Sequence, residues 1–450
     1  MNHEPPQSTS AEFAAAIPDG EGDHRVAIIG LGYVGLPLGL AFRDAGLDVV
    51  GYESDAARLE SLRSGRSPLD DVSDSRLTDA LAGGLLLCGP DEDGLAEADA
   101  IFICVSTPIS ENQEPDLGPV LTTAEQVAAS LRAGQLVVLQ STTWPGTTAG
   151  PVREVLERSG LVAGRDFGLA YAPERVNPGD RRHFGTEIPR VVGGLTEADT
   201  LRTAALLRRL GGDVVEVSSA AAAELAKLHE NVFRNVNIAL VNQLAVLCER
   251  MGLDVWEVIG AAATKPFGFM PFWPGPGVGG HCIPVDPYYL AWRARQFGVA
   301  DRFVELAADI NGTMPTHVAD LVASALERTG KQLAGARVGI VGVAFKSNVR
   351  DVRNAPAADV MAELAGRGAE LGYHDPHVRS ATDSAGNTYE SVPLGGLIAA
   401  SDVVVALVRH DRVDWELVYE KAPLIVDAIN SSAGHPVRSG QVLRLGAGWS

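Results

Sequence analysis

The sequence predicts an α/β protein in which two doubly wound domains are joined by a long central helix in a helical middle domain. Three observations predict it. Short apolar runs alternate with helical spacing from Arg25 to about Val192, the signature of parallel strands with crossover helices. From Ala220 to Met251 the pattern becomes an unbroken helical one. Strand–helix alternation then restarts at Arg337 and runs to about Val426.

In the first domain, strands are expected at Arg25–Ile29, Val49–Tyr52, Ala100–Val105 and Leu136–Gln140, with helical stretches such as 36–45 and 123–131 between them. Phe167–Tyr171 and Arg190–Val192 complete it, and the sheet is expected to be parallel. In the middle segment, Leu228, Val232, Val236, Leu240, Leu244, Leu247 and Met251 follow three- and four-residue steps and give one apolar face. At 1.5 Å per residue this helix is roughly 45 Å long, a length that joins domains or packs in a subunit interface. A Gly- and Pro-rich stretch, Pro266–Pro287, follows, and then more helix to about Glu327. The last domain takes strands at 338–343, 370–373, 403–408 and 424–426. The expected division is a flexible tail at 1–23, a first α/β domain at 24–215, the helical middle at 216–330 and a second α/β domain at 331–450.

Charge excludes several classes of partner. The 450 residues carry 57 Asp plus Glu against 37 Lys plus Arg, a net charge of −20. Nucleic acid and anionic membranes need clustered positive charge, so neither is expected as a partner. A small anion remains compatible, because helix N-termini and a few local cations can hold phosphate. No apolar run approaches the ~20 residues of a membrane helix, and Met1–Asp23 lacks the basic start and apolar core of a secretory signal. Four cysteines without paired spacing point to a reduced, cytoplasmic chain with neither a disulfide frame nor a metal cluster.

Gly30-Leu31-Gly32-Tyr33-Val34-Gly35 follows a strand and opens a helix. Its glycines allow a tight turn and close approach of the backbone to a pyrophosphate seated on the helix N-terminus, a Rossmann-like arrangement. Glu53 lies 23 positions after Gly30, at the end of the second strand. A carboxylate there binds both ribose hydroxyls and repels a 2′-phosphate, which favours NAD over NADP. The C-terminal domain lacks this glycine pattern.

A second glycine run, Gly275-Pro-Gly-Val-Gly-Gly-His-Cys282, presents a thiol where backbone can approach a substrate. Asp286-Pro287 then reads as the N-cap and first position of a helix whose N-terminus favours thiolate at Cys282. Cys88, Cys104 and Cys248, within apolar runs, read as small buried hydrophobes. On the long helix Lys227 and Asn231 share a face, flanked by Glu224 and Arg234; by pattern alone this is an exposed, salt-bridged stripe. Glu174-Arg175 follows a strand, where a catalytic loop and a plain surface loop are equal candidates.

With these segments in view, the chain resembles the UDP-glucose/GDP-mannose dehydrogenase family over about residues 24 to 440. The matching motifs are Gly-Leu-Gly-Tyr-Val-Gly from Gly30, Ser-Thr-Thr-Trp-Pro-Gly from Ser141, and Ala-Pro-Glu-Arg-Val from Ala172. Glu-Leu-Ala-Lys-Leu-His-Glu-Asn from Glu224, Gly-Gly-His-Cys-Ile-Pro-Val-Asp from Gly279 and Ala-Phe-Lys from Ala344 complete the order. The stretch from Lys265 to Tyr289 looks most like the UDP-N-acetylglucosamine 6-dehydrogenase branch. UDP-glucose enzymes usually have Lys where this chain has Val285, and many have Glu-Phe-Leu where it has Glu174-Arg175-Val176.

The resemblance implies two Rossmann-like doubly wound domains and a four-electron oxidation of the sugar's C6 alcohol to a carboxylate, with two NAD reduced in turn. It implies Cys282 as the nucleophile of a thiohemiacetal and then a thioester. Lys227 and Asn231 would stabilise the oxyanion or hold a water. Glu174 would act as base in thioester hydrolysis, Asp286 as a water-orienting carboxylate, and Thr142 would sit at the catalytic water and cofactor. Arg175, Val176, Lys227, Asn231, Arg234, Gly279 and Lys346 would surround the nucleotide sugar. Gly30, Gly32, Tyr33, Val34, Gly35, Glu53, Thr107, Thr142 and Arg353 would line the NAD site. The long helix would lie in a homodimer or higher homo-oligomer. UDP-glucose and UDP-N-acetylmannosamine are the alternative substrates. The competing readings are a non-catalytic nucleotide-sugar sensor and a two-electron hydroxyacid dehydrogenase, which would have no use for Cys282.

Overall fold

The first strand, β1 (Arg25–Ile29), is buried on both faces and sits inside an eight-stranded sheet of a computed structural model. The structure describes residues 25–69, 71–90, 92, 94–110, 114–175 and 188–450; the expected tail at 1–23 and Val176 lie outside them. The chain divides into two compact units, one formed by 1–230 with 288–299 and the other by 231–287 with 300–450.

The first unit holds β1, β2 (Asp48–Tyr52), β3 (Leu86–Cys88), β4 (Ala100–Ile103), β5 (Leu136–Leu139), β6 (Gly168–Tyr171), β7 (Arg190–Gly194) and β8 (Val214–Glu216). Their spatial order is β3-β2-β1-β4-β5-β6-β7-β8. The order reverses between β1 and β4, so their carboxyl ends open the crevice in which such sheets bind ligands. Apolar side chains alternate to the two faces: Val26, Ile28 and Phe102 enter one core, Ala27, Ile29, Ile101 and Ile103 the other. The sheet departs from the parallel expectation at one place, where β7 runs antiparallel to β6 through Ala170↔Gly194 and Tyr171↔Gly193. The sequence reading also misses β3 and β8, strands of only three residues with partly exposed side chains, too short for a strand period to stand out.

The second unit carries β9 (Arg337–Val341), β10 (Glu370–His374), the small hairpin β11 (Ser380–Thr382) and β12 (Thr388–Glu390), then β13 (Val403–Ala406), β14 (Ile425–Asp427), β15 (Val442–Arg444) and β16 (Gly448–Trp449). Its main sheet has the order β10-β9-β13-β14-β15-β16, parallel except for the last pair. Here the order reverses between β9 and β13, so the segments after Val341 and Ala406 meet at the switch point.

The expected helix Ala220–Met251 is one continuous helix of 32 residues, beginning in the first unit and ending in the second. Its apolar face is not covered evenly. Leu228 is fully buried, whereas Leu240, Leu247 and Met251 are 61%, 51% and 61% exposed. A chain that hides its apolar surface rarely leaves three such side chains in line without a partner. None of the four cysteines is in a disulfide; Cys104 and Cys248 are buried, while Cys88 and Cys282 are half-buried. No helix among the described residues is long and apolar enough to cross a membrane.

Candidate active site

The glycine loop lies at the first sheet's switch point. Gly30 has a φ of +93°, and a Cβ there would meet the Cys104 carbonyl oxygen at 2.7 Å. At Gly35 a Cβ would strike the Gly30 carbonyl oxygen at 1.9 Å, so the turn and the start of helix Gly35–Asp44 both require glycine. Gly32 differs: nothing lies within 4 Å of its Cβ position, which leaves the open approach that a pyrophosphate needs. Tyr33 and Val34 are half-buried on the same turn, and Thr107 follows β4.

Glu53 completes this cradle. It is buried at the end of β2, and its Oε2 accepts a hydrogen bond from the Leu31 backbone N–H at 3.2 Å. The Asp55 N–H holds Oε1 at 2.9 Å, and the Arg58 guanidinium lies 3.4 Å from Oε2. A carboxylate fixed over the loop in this way fits the ribose hydroxyls of a dinucleotide. Glu53→Ala is expected to raise the KM for NAD by about 10- to 100-fold, the worth of charge-assisted hydrogen bonds. It should also improve use of NADP, because Arg58 then stands without its acid; steady-state kinetics with both cofactors checks this, and an unchanged NAD preference would count against it.

Thr142 follows β5 in the loop Ser141–Gly146, and a residue of the long helix anchors that loop. Glu224, read from sequence as flanking an exposed stripe, is completely buried. Its Oε1 accepts from the Thr148 N–H at 2.8 Å, the Thr148 hydroxyl at 2.7 Å and the Thr143 hydroxyl at 3.5 Å; its Oε2 accepts from the Gly146 N–H at 2.6 Å. Burial pushes its carboxyl pKa up, against the pull of these bonds. The exposed-face reading fails because the helix's first turns pack into the first unit, where the loop donors need an acceptor. Lys227, one turn along, is half-buried. The loop is further packed by Trp144, whose ring centroid is 4.4 Å from that of Trp292, and by Arg293, whose Nε donates to the Pro145 carbonyl at 3.0 Å.

Glu174 and Arg175 follow β6, with the Arg175 N–H donating to Glu174 Oε1 at 2.8 Å. The Arg175 guanidinium pairs with Glu230 at 2.7 Å.

The second unit gathers the other candidates. The Cys282 carbonyl accepts from the Val285 and Asp286 N–H groups at 3.1 and 2.8 Å, so the thiol residue stands one turn before helix Asp286–Gln296. Asp286 is the first residue of that helix rather than its N-cap, and its buried Oδ2 accepts from Asn231 Nδ2 at 2.5 Å. Two candidate residues 55 positions apart are thereby joined. Arg234 is exposed.

Three buried asparagines that sequence reading passed over brace the glycine run. Asn311 donates to Asn235 Oδ1 at 2.8 Å, Asn242 donates to Asn311 Oδ1 at 2.9 Å, and the Gly275 N–H donates to Asn242 Oδ1 at 3.0 Å. Two of them had a signal: Asn235 and Asn242 fall on the same face of the long helix as Asn231, whereas Asn311 stands on the separate helix Arg302–Arg328. A Cβ at Gly279 would meet Pro356 Cδ at 2.7 Å and the Asn354 carbonyl oxygen at 2.9 Å. The Gly280 N–H donates to the Arg353 carbonyl at 3.2 Å. The glycines of this run therefore serve the close packing of the cysteine loop on the segment Phe345–Pro356, which carries Lys346 and Arg353. The Arg353 guanidinium pairs with Asp351 at 2.5 Å and lies 3.4 Å from His281 Nδ1. Among the described residues no group of three or more His, Cys, Asp or Glu could hold a metal ion.

A dinucleotide cradle at one switch point, with a thiol-bearing loop in the second unit, defines the class: a nicotinamide-dependent oxidoreductase built from two α/β units. The chain belongs to the UDP-glucose/GDP-mannose dehydrogenase family, matching its NAD binding domain over residues 24–210, its central domain over 221–313 and its UDP binding domain over 339–432. It is 36% identical to the UDP-N-acetyl-D-glucosamine 6-dehydrogenase of Pseudomonas aeruginosa, over 87% of this chain and 91% of the relative. To the UDP-N-acetyl-D-mannosamine dehydrogenase of Pyrococcus horikoshii it is 34% identical, over 92% and 97% of the two chains. A solved structure of the UDP-D-ManNAc dehydrogenase from Pyrococcus horikoshii superposes with a TM-score of 0.84 at 33% identity, covering 94% of this chain and 99% of that one. The protein is an NAD-dependent UDP-sugar dehydrogenase.

Proposed function

We propose that this enzyme oxidises the C6 alcohol of a UDP-N-acetylhexosamine to the carboxylate, converting UDP-N-acetylglucosamine to its uronate. The observation that carries the reading is the buried hydrogen bond from Asn231, on the long helix, to Asp286, the first residue of the helix that starts one turn after Cys282. It ties an amide to a carboxylate four positions after the thiol residue, and these are groups that a thioester route uses. Bound NAD supplies the hydride acceptor, once for the alcohol and once for the thiohemiacetal.

The chain's own groups do the rest. The Cys282 sulfur adds to the C6 aldehyde carbon, and the carbonyl oxygen becomes an alkoxide stabilised by Lys227 and Asn231. After the second oxidation C6 is a thioester. Asp286 and Thr142 orient a water, Glu174 takes its proton as it attacks C6, and the C–S bond breaks to release the acid and return Cys282 as the thiolate. Lys346 supplies positive charge at the diphosphate, with Arg175, Arg234 and Gly279 around the rest of the nucleotide sugar. The preference for an N-acetylated sugar rests on Val285 and Arg175 and on relatives with that activity.

A panel of UDP-sugars with NAD tests this. The expected result is two NADH per sugar, fastest with UDP-N-acetylglucosamine. Faster turnover of UDP-N-acetylmannosamine would reassign the sugar, and activity confined to UDP-glucose, or one NADH per sugar, would end the reading. The exposed line Leu240, Leu247 and Met251 supports a homodimer along the long helix, within a three-part division at about 24–215, 216–330 and 331–450. A sedimentation mass equal to one 47.3 kDa chain would rule the dimer out.

A further inference from the structure

The loop that carries Lys346 leaves β9 at the second sheet's switch point, and two fully buried ionisable side chains behind it hold both of its ends. At the entry, Asp375 Oδ2 accepts from the Val343 and Ala344 N–H groups at 2.8 and 3.3 Å. Its Oδ1 accepts from the His377 and Val378 N–H groups at 2.8 and 3.1 Å, which closes the turn after β10. The same Oδ2 lies 3.0 Å from His410 Nε2. At the exit, His410 Nδ1 is 2.9 Å from the Asn348 backbone N–H. A backbone N–H only donates, so Nδ1 is the bare nitrogen and the ring proton sits on Nε2, facing Asp375. Burial would raise the Asp375 carboxyl, but the bonds from His410 and the loop outweigh it and bring it down to about 2.

The exit is clamped a second time. Asn348 has a φ of 62°, its Nδ2 donates to Asp411 at 2.8 Å, and its Oδ1 accepts from the Asp411 N–H at 2.9 Å. The Trp415 indole N–H donates to the His410 carbonyl at 3.1 Å and keeps the histidine's own backbone in place. His410 is 0% exposed, so it reaches no ligand and acts only through what it holds.

We propose that His410 and Asp375 are positioning residues for the UDP-sugar: together they fix the backbone from Val343 to Asn348 and so aim the Lys346 ammonium at the diphosphate. This rests on the assignment of Lys346 made above. The physical reason is entropic as well as electrostatic. Lysine is a point charge on a flexible four-carbon stem, and its contribution to binding depends on how well its backbone is pre-ordered. A loop tied at both ends by one buried relay orders it before the ligand arrives.

The test uses the full-length enzyme and UDP as the probe in titration calorimetry, alongside steady-state kinetics. His410→Gln keeps an amide donor near Asp375 but leaves the Asn348 N–H without its acceptor. It is expected to weaken UDP binding about tenfold and raise the KM for the UDP-sugar in step, with much smaller changes in kcat and in the KM for NAD. His410→Asn, which offers an oxygen at the place of Nδ1, should recover most of the loss. In a Lys346→Ala background His410→Gln should cost little more, since both act on one contact.

Unchanged UDP affinity in folded His410→Gln, beside a normal defect in Lys346→Ala, overturns the proposal alone. Unchanged affinity in Lys346→Ala removes the Lys346 assignment and the proposal with it. Should His410→Gln not fold, Asn348→Gly decides. It tolerates the positive φ and loses only the Asp411 clamp, and it must show the same split between the two KM values for the proposal to stand.

Discussion

Replacing Cys282 with alanine is expected to cut formation of the uronate by at least about a thousandfold, the scale on which removal of a nucleophile is felt. Without the sulfur, an aldehyde formed at C6 has no covalent partner, and nothing sets up the second oxidation. The residue's setting makes this a test of chemistry rather than folding. Cys282 is half-buried in a loop braced by the Gly280–Arg353 and Asn354–Gly280 hydrogen bonds, which run through backbone groups and the Asn354 amide and are retained in the variant. The variant should therefore keep its fold and its affinity for UDP. Chromatographic quantification of the acid, with NADH counted per sugar, gives the answer; undiminished acid would remove the covalent route.

Glu224→Ala is expected to lower the stability of the first unit by roughly 3–5 kcal/mol, the range for stranding several buried donors and opening a cavity. The carboxylate takes four hydrogen bonds, from Thr143, Gly146 and the two donors of Thr148, and no water reaches it in the intact fold. Glu224→Gln keeps the shape but turns an N–H₂ toward some of those donors, so about half the loss is expected. Trp144, in the same loop and tilted against Trp292 of the helix Asp286–Gln296, provides the fluorescence signal for urea unfolding. A midpoint equal to the parent's in both variants would show that Glu224 is dispensable to the loop. Because Thr142 rides on that loop, the Gln variant also separates a loss of activity from a loss of fold.

Much of this was legible in the chain. Gly30, Gly32 and Gly35 announce their turn because only glycine satisfies a φ of +93° at Gly30 and the 1.9 Å approach at Gly35. Glu53 is readable because a strand of known rise ends at a known distance from that turn. The long helix was placed from Ala220 to Met251 because its apolar spacing never breaks. Where sequence reading erred, a tertiary partner had overridden the local pattern. Glu224 has the spacing of a solvated helix face and sits fully buried under a loop 76 positions away. Asp286 has the form of a helix cap, yet it is the first helical residue and accepts from Asn231. The short strands β3, β8, β11 and β12 are three residues each, too short for a period of two to register, so pairing alone defines them.

The chain by itself determined the two α/β sheets, the glycine loop with Glu53 at the end of the second strand, and the candidate thiol at Cys282. These depend on backbone geometry and on periods of two and 3.6 residues, which are local properties. Only the tertiary structure decided what Glu224, Asn242, Asn311, Asp375 and His410 do. Each is a buried polar group, and the cost of leaving such a group without a partner is met by residues tens of positions away, which no local pattern can name.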